Sequence, residues 1–277
     1  MDRYSGRGLA VRHAGVSDSG PELERTDAQP SESRGFVLIV VSVIIGLSAA
    51  AAAVTGFGFN LISAPLLTLV YAPRLVVLLT LLLGICASGL LLLRPEIRRE
   101  AQWALIRPLF LWSLSGMPAG VALLTWGPAR LLKGVIAAVT AAFAIVMLTR
   151  FRPRLRGGAL DTAAVGFLSG VLSTSTSLNG PPVALYLMAL GLAKNQFRGT
   201  MVTYVFLATV TSVALLILGG TAGAQTLLLG VQLLPALFLG FAAGVLAVRG
   251  LSDPGFERTV LAFLVLVGLL GIGTALR

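Results

Sequence analysis

The 277-residue sequence predicts an all-α protein that crosses a membrane many times. Apolar residues make up 56% of the chain and charged residues only 12%, a balance far from that of a water-soluble domain. Two stretches carry no charged side chain over lengths that no single membrane helix needs: Gly35–Pro73, 39 residues, and Thr162–Ala193, 32 residues. Unbroken, at about 1.5 Å per residue, they would run roughly 58 and 48 Å against a hydrocarbon core of about 30 Å. Both are interrupted midway by small and polar residues. The first break is Thr55-Gly56-Phe57-Gly58-Phe59-Asn60; the second runs from Ser173-Thr174-Ser175-Thr176-Ser177 through Leu178-Asn179-Gly180-Pro181-Pro182. Irregular backbone at membrane depth survives only when buried in protein or facing a watery cavity. The alternating pattern of β-barrel strands is absent.

Charges and turn residues divide the chain into apolar segments at about 36–54, 58–71, 75–93, 104–126, 130–149, 160–175, 180–193, 198–218, 225–247 and 257–276. That is about 8–10 membrane segments. Gly219-Gly220-Thr221-Ala222-Gly223 and Trp126-Gly127-Pro128 supply turns between them. Before the first segment, residues 1–34 are polar and lack apolar periodicity, which predicts a disordered tail. Five arginines and six acids in that tail make it unlike the short basic start of a signal peptide.

The formal charge of +10 is not the mark of a nucleic-acid binder. Sixteen of the 21 basic residues lie beyond the tail, mostly in short loops between apolar spans, where the positive-inside bias places them. Their distribution also bears on topology. If each broken stretch crosses twice, or enters and returns, twelve basic residues fall on one face and Arg74, Arg130, Lys133 and Arg277 on the other. If each crosses once, Lys194, Arg198, Arg249, Arg258 and Arg277 change sides and the split becomes 9 against 7. The first count obeys the bias far better. It puts both termini outside the cytoplasm and makes residues 35–156 and 157–277 inverted repeats with broken helices, the architecture in which carriers build a binding site. Ordered similarities support the repeat: Pro108-Leu109-Phe110-Leu111 with Gly116 and Gly120 parallels Pro235-Ala236-Leu237-Phe238 with Gly240 and Gly244. These spaced glycines serve either close packing within the chain or the seam of a homo-oligomer.

Catalysis has little to work with. Cys86 is the only cysteine and His13, in the polar tail, the only histidine, so the membrane region offers neither a histidine-based triad nor a thiolate or imidazole metal site. No lysine in mid-span could activate one of the serines. We therefore expect no enzyme, no cofactor and no metal.

The first break and its continuation, Thr55 to Leu67, resemble the first signature of the sulfite exporter TauE/SafE family of membrane transporters. Asn179-Gly180-Pro181-Pro182-Val183-Ala184-Leu185-Tyr186, followed by Phe197-Arg198-Gly199-Thr200, resembles the second. The resemblance covers about residues 35–276. It implies a plasma-membrane carrier built from duplicated halves, with members linked to export of sulfite, sulfoacetate and other small anions. In two places the chain departs from the pattern: Gly-Phe-Gly-Phe-Asn stands at 56–60 in place of the usual run of glycines, and Ser173–Ser177 replaces a Gly-rich stretch.

Where a helix restarts inside a membrane, its first peptide N–H groups are unpaired and favour anions. Segments restarting near Leu61 and Pro182 would present such ends, with hydroxyl and amide donors around them. We expect the solute to be bound by Thr55, Gly56, Gly58, Asn60, Ser63 and Pro65 from the first break, and by Ser175, Thr176, Ser177, Asn179, Gly180, Pro181 and Pro182 from the second. Arg198 would draw anions to the cytoplasmic mouth or act as a positive-inside anchor. The hydroxyls could equally bond back to their own helix. No acidic residue lies in the middle of a span, so a cation would lack a counter-ion, and either the solute carries any coupled proton or transport runs on its own gradient and the membrane potential. The expected partners are a small anionic solute and the lipid bilayer. The alternative is a non-transporting membrane scaffold or assembly factor. Leu83→Ala, in a plain span, is expected not to cut flux.

Overall fold

The computed structural model describes residues 31–149, 157–221 and 223–248, and among these it contains α-helices and no strand. In order they are α1 (Ser31–Thr55), α2 (Phe59–Leu67), α3 (Pro73–Leu92), α4 (Pro95–Arg99), α5 (Trp103–Trp126), α6 (Ala129–Thr149), α7 (Ala159–Thr176), α8 (Gly180–Ala189), α9 (Lys194–Leu218) and α10 (Ala224–Val248). Six of them, α1, α3, α5, α6, α9 and α10, contain stretches long and apolar enough to cross a membrane. With the shorter α2, α7 and α8 they make a polytopic helical membrane protein, as the sequence predicts. The last expected segment, 257–276, and the tail up to residue 30 lie outside the described residues.

Both long uncharged stretches do break, and within the expected windows. The α1 helix stops where Gly56 and Gly58 take φ values of 87° and 105°, a region closed to most side chains. At the end of α7, Ser177 turns left-handed at φ 62°, alone among the described non-glycine residues. Proline sets the start of the helix that follows, α8, and of α3 and α4, at positions where the missing N–H would have had no partner.

Two boundaries differ from expectation. Helix α1 begins at Ser31, inside the stretch read as tail. The short α4 occupies what was read as a loop; its proline start, Glu96 in the first turn and Arg98 and Arg99 in the last match the helix dipole. Leu83 is buried in the core.

The described residues from Val37 onward form one compact unit. At the centre α3 and α9 pack antiparallel, with Gly89 facing Phe206 and the end of α3 leading into α4, which packs on the start of α9. There the backbone N–H of Gln102 donates to Thr200 Oγ1 at 3.0 Å. Lys194 and Arg198 therefore share one end of the bundle with Arg94, Arg98 and Arg99, the grouping that the 12-against-4 count requires.

The spaced glycines act inside the chain. A Cβ on Gly116 would overlap the Phe167 carbonyl and one on Gly120 the Val171 carbonyl, while Gly166 and Gly170 return the contact against Leu109 and Ser113. This lays α5 parallel to α7. In the same way Gly240 and Gly244 bring α10 down on α1 at Gly46 and Ala50. Absent side chains let backbones touch, and dispersion between them replaces a hydrophobic drive that lipid cannot supply. A helix from each half is thus clamped to the broken helix of the other.

Candidate functional site

The two breaks meet. Asn60, in the first turn of α2, donates from Nδ2 to the backbone carbonyl of Ser177 at 3.0 Å, a bond between residues 117 positions apart. Thr80 on α3 donates to Ser177 Oγ at 2.8 Å, so three elements are fastened at one residue. Beside this junction lies a cavity of about 40 Å³, room for a few water-sized groups. Its wall is formed by Gly56 to Leu61 with Ala52, by Ser177 to Pro181, and by Gly84, Ala87, Ser88 and Leu91 of α3 with Val205 of α9.

Of the residues expected to bind solute, Gly56, Gly58, Asn60, Ser177, Asn179, Gly180 and Pro181 line this cavity. The others do not. Thr55 bonds to the Ala51 and Phe57 carbonyls, stitching the end of α1 to the break. Ser63, Ser175 and Thr176 each bond back one turn, to the carbonyls of Phe59, Val171 and Leu172 at 2.6–2.8 Å. That satisfies a hydroxyl in an apolar interior without any solute. Pro65 is buried within α2, and Pro182 is half-buried off the wall.

Arg198 takes a place that neither sequence reading foresaw. Its Nη2 donates to the Ala53 carbonyl at 2.7 Å, and its side chain lies over Gly56, where a Cβ would come within 2.6 Å of Cγ. Ala53 is in the last turn of α1, whose final carbonyls are freed by the break, and a cation there complements the helix dipole. At the far end of the bundle Arg74 does the same for α5, donating to the carbonyls of Leu124 at 3.0 Å and Thr125 at 2.8 Å. Phe57, between the two glycines, is held edge-on against Phe143 and Phe197, with ring centres 6.1 and 5.9 Å away.

The asparagines differ in what they hold. Asn179 is tied into its own half: Nδ2 donates to Ser173 Oγ at 3.3 Å and Thr209 Oγ1 at 3.2 Å, and its backbone carbonyl accepts from Ser169. Ser173 pairs with Ser212, and Ser169 accepts from the buried Tyr204, so a polar seam joins α7 to α9 behind the cavity. Asn60 instead reaches across to the other break and leaves its Oδ1 buried with no partner.

Sequence reasoning missed the α3 wall. A cluster of small residues in an otherwise bulky span, Gly84-Ile85-Cys86-Ala87-Ser88-Gly89, is the signal that could have found it. Small side chains there admit Asn60, since a Cβ on Gly84 would lie 2.9 Å from Asn60 Oδ1.

Chemically, the wall offers hydrogen-bonding groups beside apolar surface. It carries no charged side chain, and among the described residues no cluster of His, Cys, Asp or Glu could hold a metal ion. Its polar offering is peptide N–H groups, hydroxyls and asparagine amide oxygens.

A sequence model of the sulfite exporter TauE/SafE family matches residues 38–270. No curated protein and no solved structure matches the chain. The family match takes in every break and wall residue described above, and the chain belongs to that family, whose members are membrane transporters. Membership implies a membrane exporter of sulfite or a related anion.

Proposed function

We propose that this family member is a secondary carrier of small anions in the plasma membrane, of the sulfite, organosulfonate or carboxylate type, and that it holds its solute between the α1–α2 and α7–α8 breaks. One observation carries the reading: the hydrogen bond from Asn60 to Ser177, which brings the two interrupted helices together beside a cavity walled by both. The start of α2 supplies the donors. Phe59, Asn60 and Leu61 occupy its first three positions, where N–H groups have no partner within the helix, and no side chain caps it. Such an end carries roughly half a positive charge, enough to favour an anion without a fixed cation.

The inverted-repeat reading belongs to the same proposal. Support comes from the antiparallel α3 and α9, from the matching clamps of α5 on α7 and α10 on α1, and from the basic cluster at one end. Leu111, Leu239 and Leu246, exposed on the outer helices α5 and α10, suit a lipid-facing surface. The family and the wall chemistry both favour transport over catalysis.

Flux in proteoliposomes tests the reading. Purified protein should move sulfite or a small organic anion down an imposed gradient, and Asn60→Ala should reduce that flux while the protein still inserts. Absence of flux for every small anion, together with stoichiometric co-purification of a partner protein, would replace the carrier with the scaffold alternative.

A further inference from the structure

The Asn60 amide has one committed end and one idle end. Its Nδ2 donates to the Ser177 carbonyl, which fixes the orientation, because the reverse would set two acceptors against each other. The unpartnered Oδ1 is therefore an acceptor, on a side chain only 8% exposed. A buried acceptor without a donor is costly, so native interiors rarely keep one for nothing. Both Asn60 and Gly84 line the cavity, and Oδ1 lies buried against Gly84, where no side chain covers it. Rotation about the terminal torsion of an asparagine is soft, so a small turn suffices to meet a ligand.

A second, independent observation concerns charge. No charged side chain stands on the wall itself: the start of α2 supplies roughly half a unit of positive charge, and the Arg198 side chain lies behind Gly56 with its Nη2 committed to the Ala53 carbonyl, so the site favours an anion.

Resting on the anion reading above, we propose that the cavity selects singly charged anions that still carry an O–H. The anionic oxygen accepts from the first peptide N–H groups of α2, and the hydroxyl donates to Asn60 Oδ1. A fully deprotonated dianion would turn a lone pair toward that same oxygen and lose the donor. The proton thus travels on the solute, which suits spans with no acidic residue in their middle. No bond is made or broken; the site recognises one protonation state of its ligand.

Binding to the full chain in nanodiscs, followed by calorimetry, tests this with two probes. Sulfite is titrated at pH values on both sides of its second ionisation, and methanesulfonate serves as a monoanion with no O–H. Sulfite affinity should track the hydrogen-bearing form, falling as pH rises. Methanesulfonate should bind at least about tenfold more weakly than that form, because a site built to accept a hydrogen bond rejects an analogue without one. Asn60→Leu should bring the two probes to within about twofold of each other. Equal affinities in the unmodified protein, or tighter binding of the dianion, would overturn the O–H requirement while leaving the anion site standing. If neither probe nor any other small oxyanion binds, it is the anion reading itself that fails. The pH series needs no variant, so it decides the matter even if Asn60→Leu does not fold.

Discussion

The first break is built from glycine backbone and the second from hydroxyls and proline, and that difference divides their labour. At the first, Gly56 and Gly58 adopt positive φ, and α2 restarts with N–H groups on Phe59, Asn60 and Leu61. The second turns on Ser177 and restarts α8 at Gly180, but Pro181 and Pro182 then remove two of its three leading donors. Its polar groups are also occupied: Ser177 by Asn60 and Thr80, Asn179 by Ser173 and Thr209. On the proposed reading, two breaks that look equivalent in sequence therefore take different roles: the first presents donors to the cavity, and the second is a braced wall against which they are held.

The largest effect should come from exchanging the demands of the two turns. Gly56→Leu forces a side chain into a backbone that costs about 1–3 kcal/mol for non-glycine residues, and it also meets Arg198. Flux should be lost, and the melting temperature of the purified protein should fall. Ser177→Gly fits its φ without strain and gives up only the Thr80 bond, so its stability should stay within about 1 kcal/mol. Equal damage at the two positions would mean that the turns are interchangeable.

Next come the asparagines, whose roles should separate. Asn60→Ala should lower flux per folded molecule about tenfold, the equivalent of a single interaction of about 1.4 kcal/mol, with a smaller change in melting temperature. Asn179→Ala should show the reverse: about 1 kcal/mol of stability lost with the polar seam and a weaker effect on flux. Melting curves and initial rates on the same preparations distinguish these outcomes.

Much of this was legible before any coordinates, for identifiable reasons. Helix length against bilayer thickness forced both breaks, and the bias of arginine and lysine grouped Arg94, Arg98 and Arg99 with Lys194 and Arg198. Spaced glycines marked helix contacts, though sequence could not say whether Gly116 and Gly240 face a partner chain or, as they do, α7 and α1. Side-chain commitments stayed hidden because a hydroxyl bonds whichever acceptor is nearest. Nothing in Ser175 or Thr176 as letters distinguishes a solute ligand from a back-bonded helix hydroxyl. The partner of Arg198 stayed hidden for a similar reason: it is a carbonyl 145 residues away, and backbone acceptors leave no mark on a sequence.

The smallest effect is also the most exacting for the comparison. Pro182 is half-buried, off the cavity wall, and third in α8, so Pro182→Ala adds one unpaired N–H to a donor-poor helix start and removes little packing. If the second break shared in binding the anion, that new donor would strengthen binding, because a free N–H at a helix start is what an anion seeks. The division of labour argued above expects sulfite affinity to change by less than about twofold, since it assigns the anion to α2. The same calorimetry applied to this variant decides it: a several-fold gain would move the anion toward α8 and make the two breaks partners in one site.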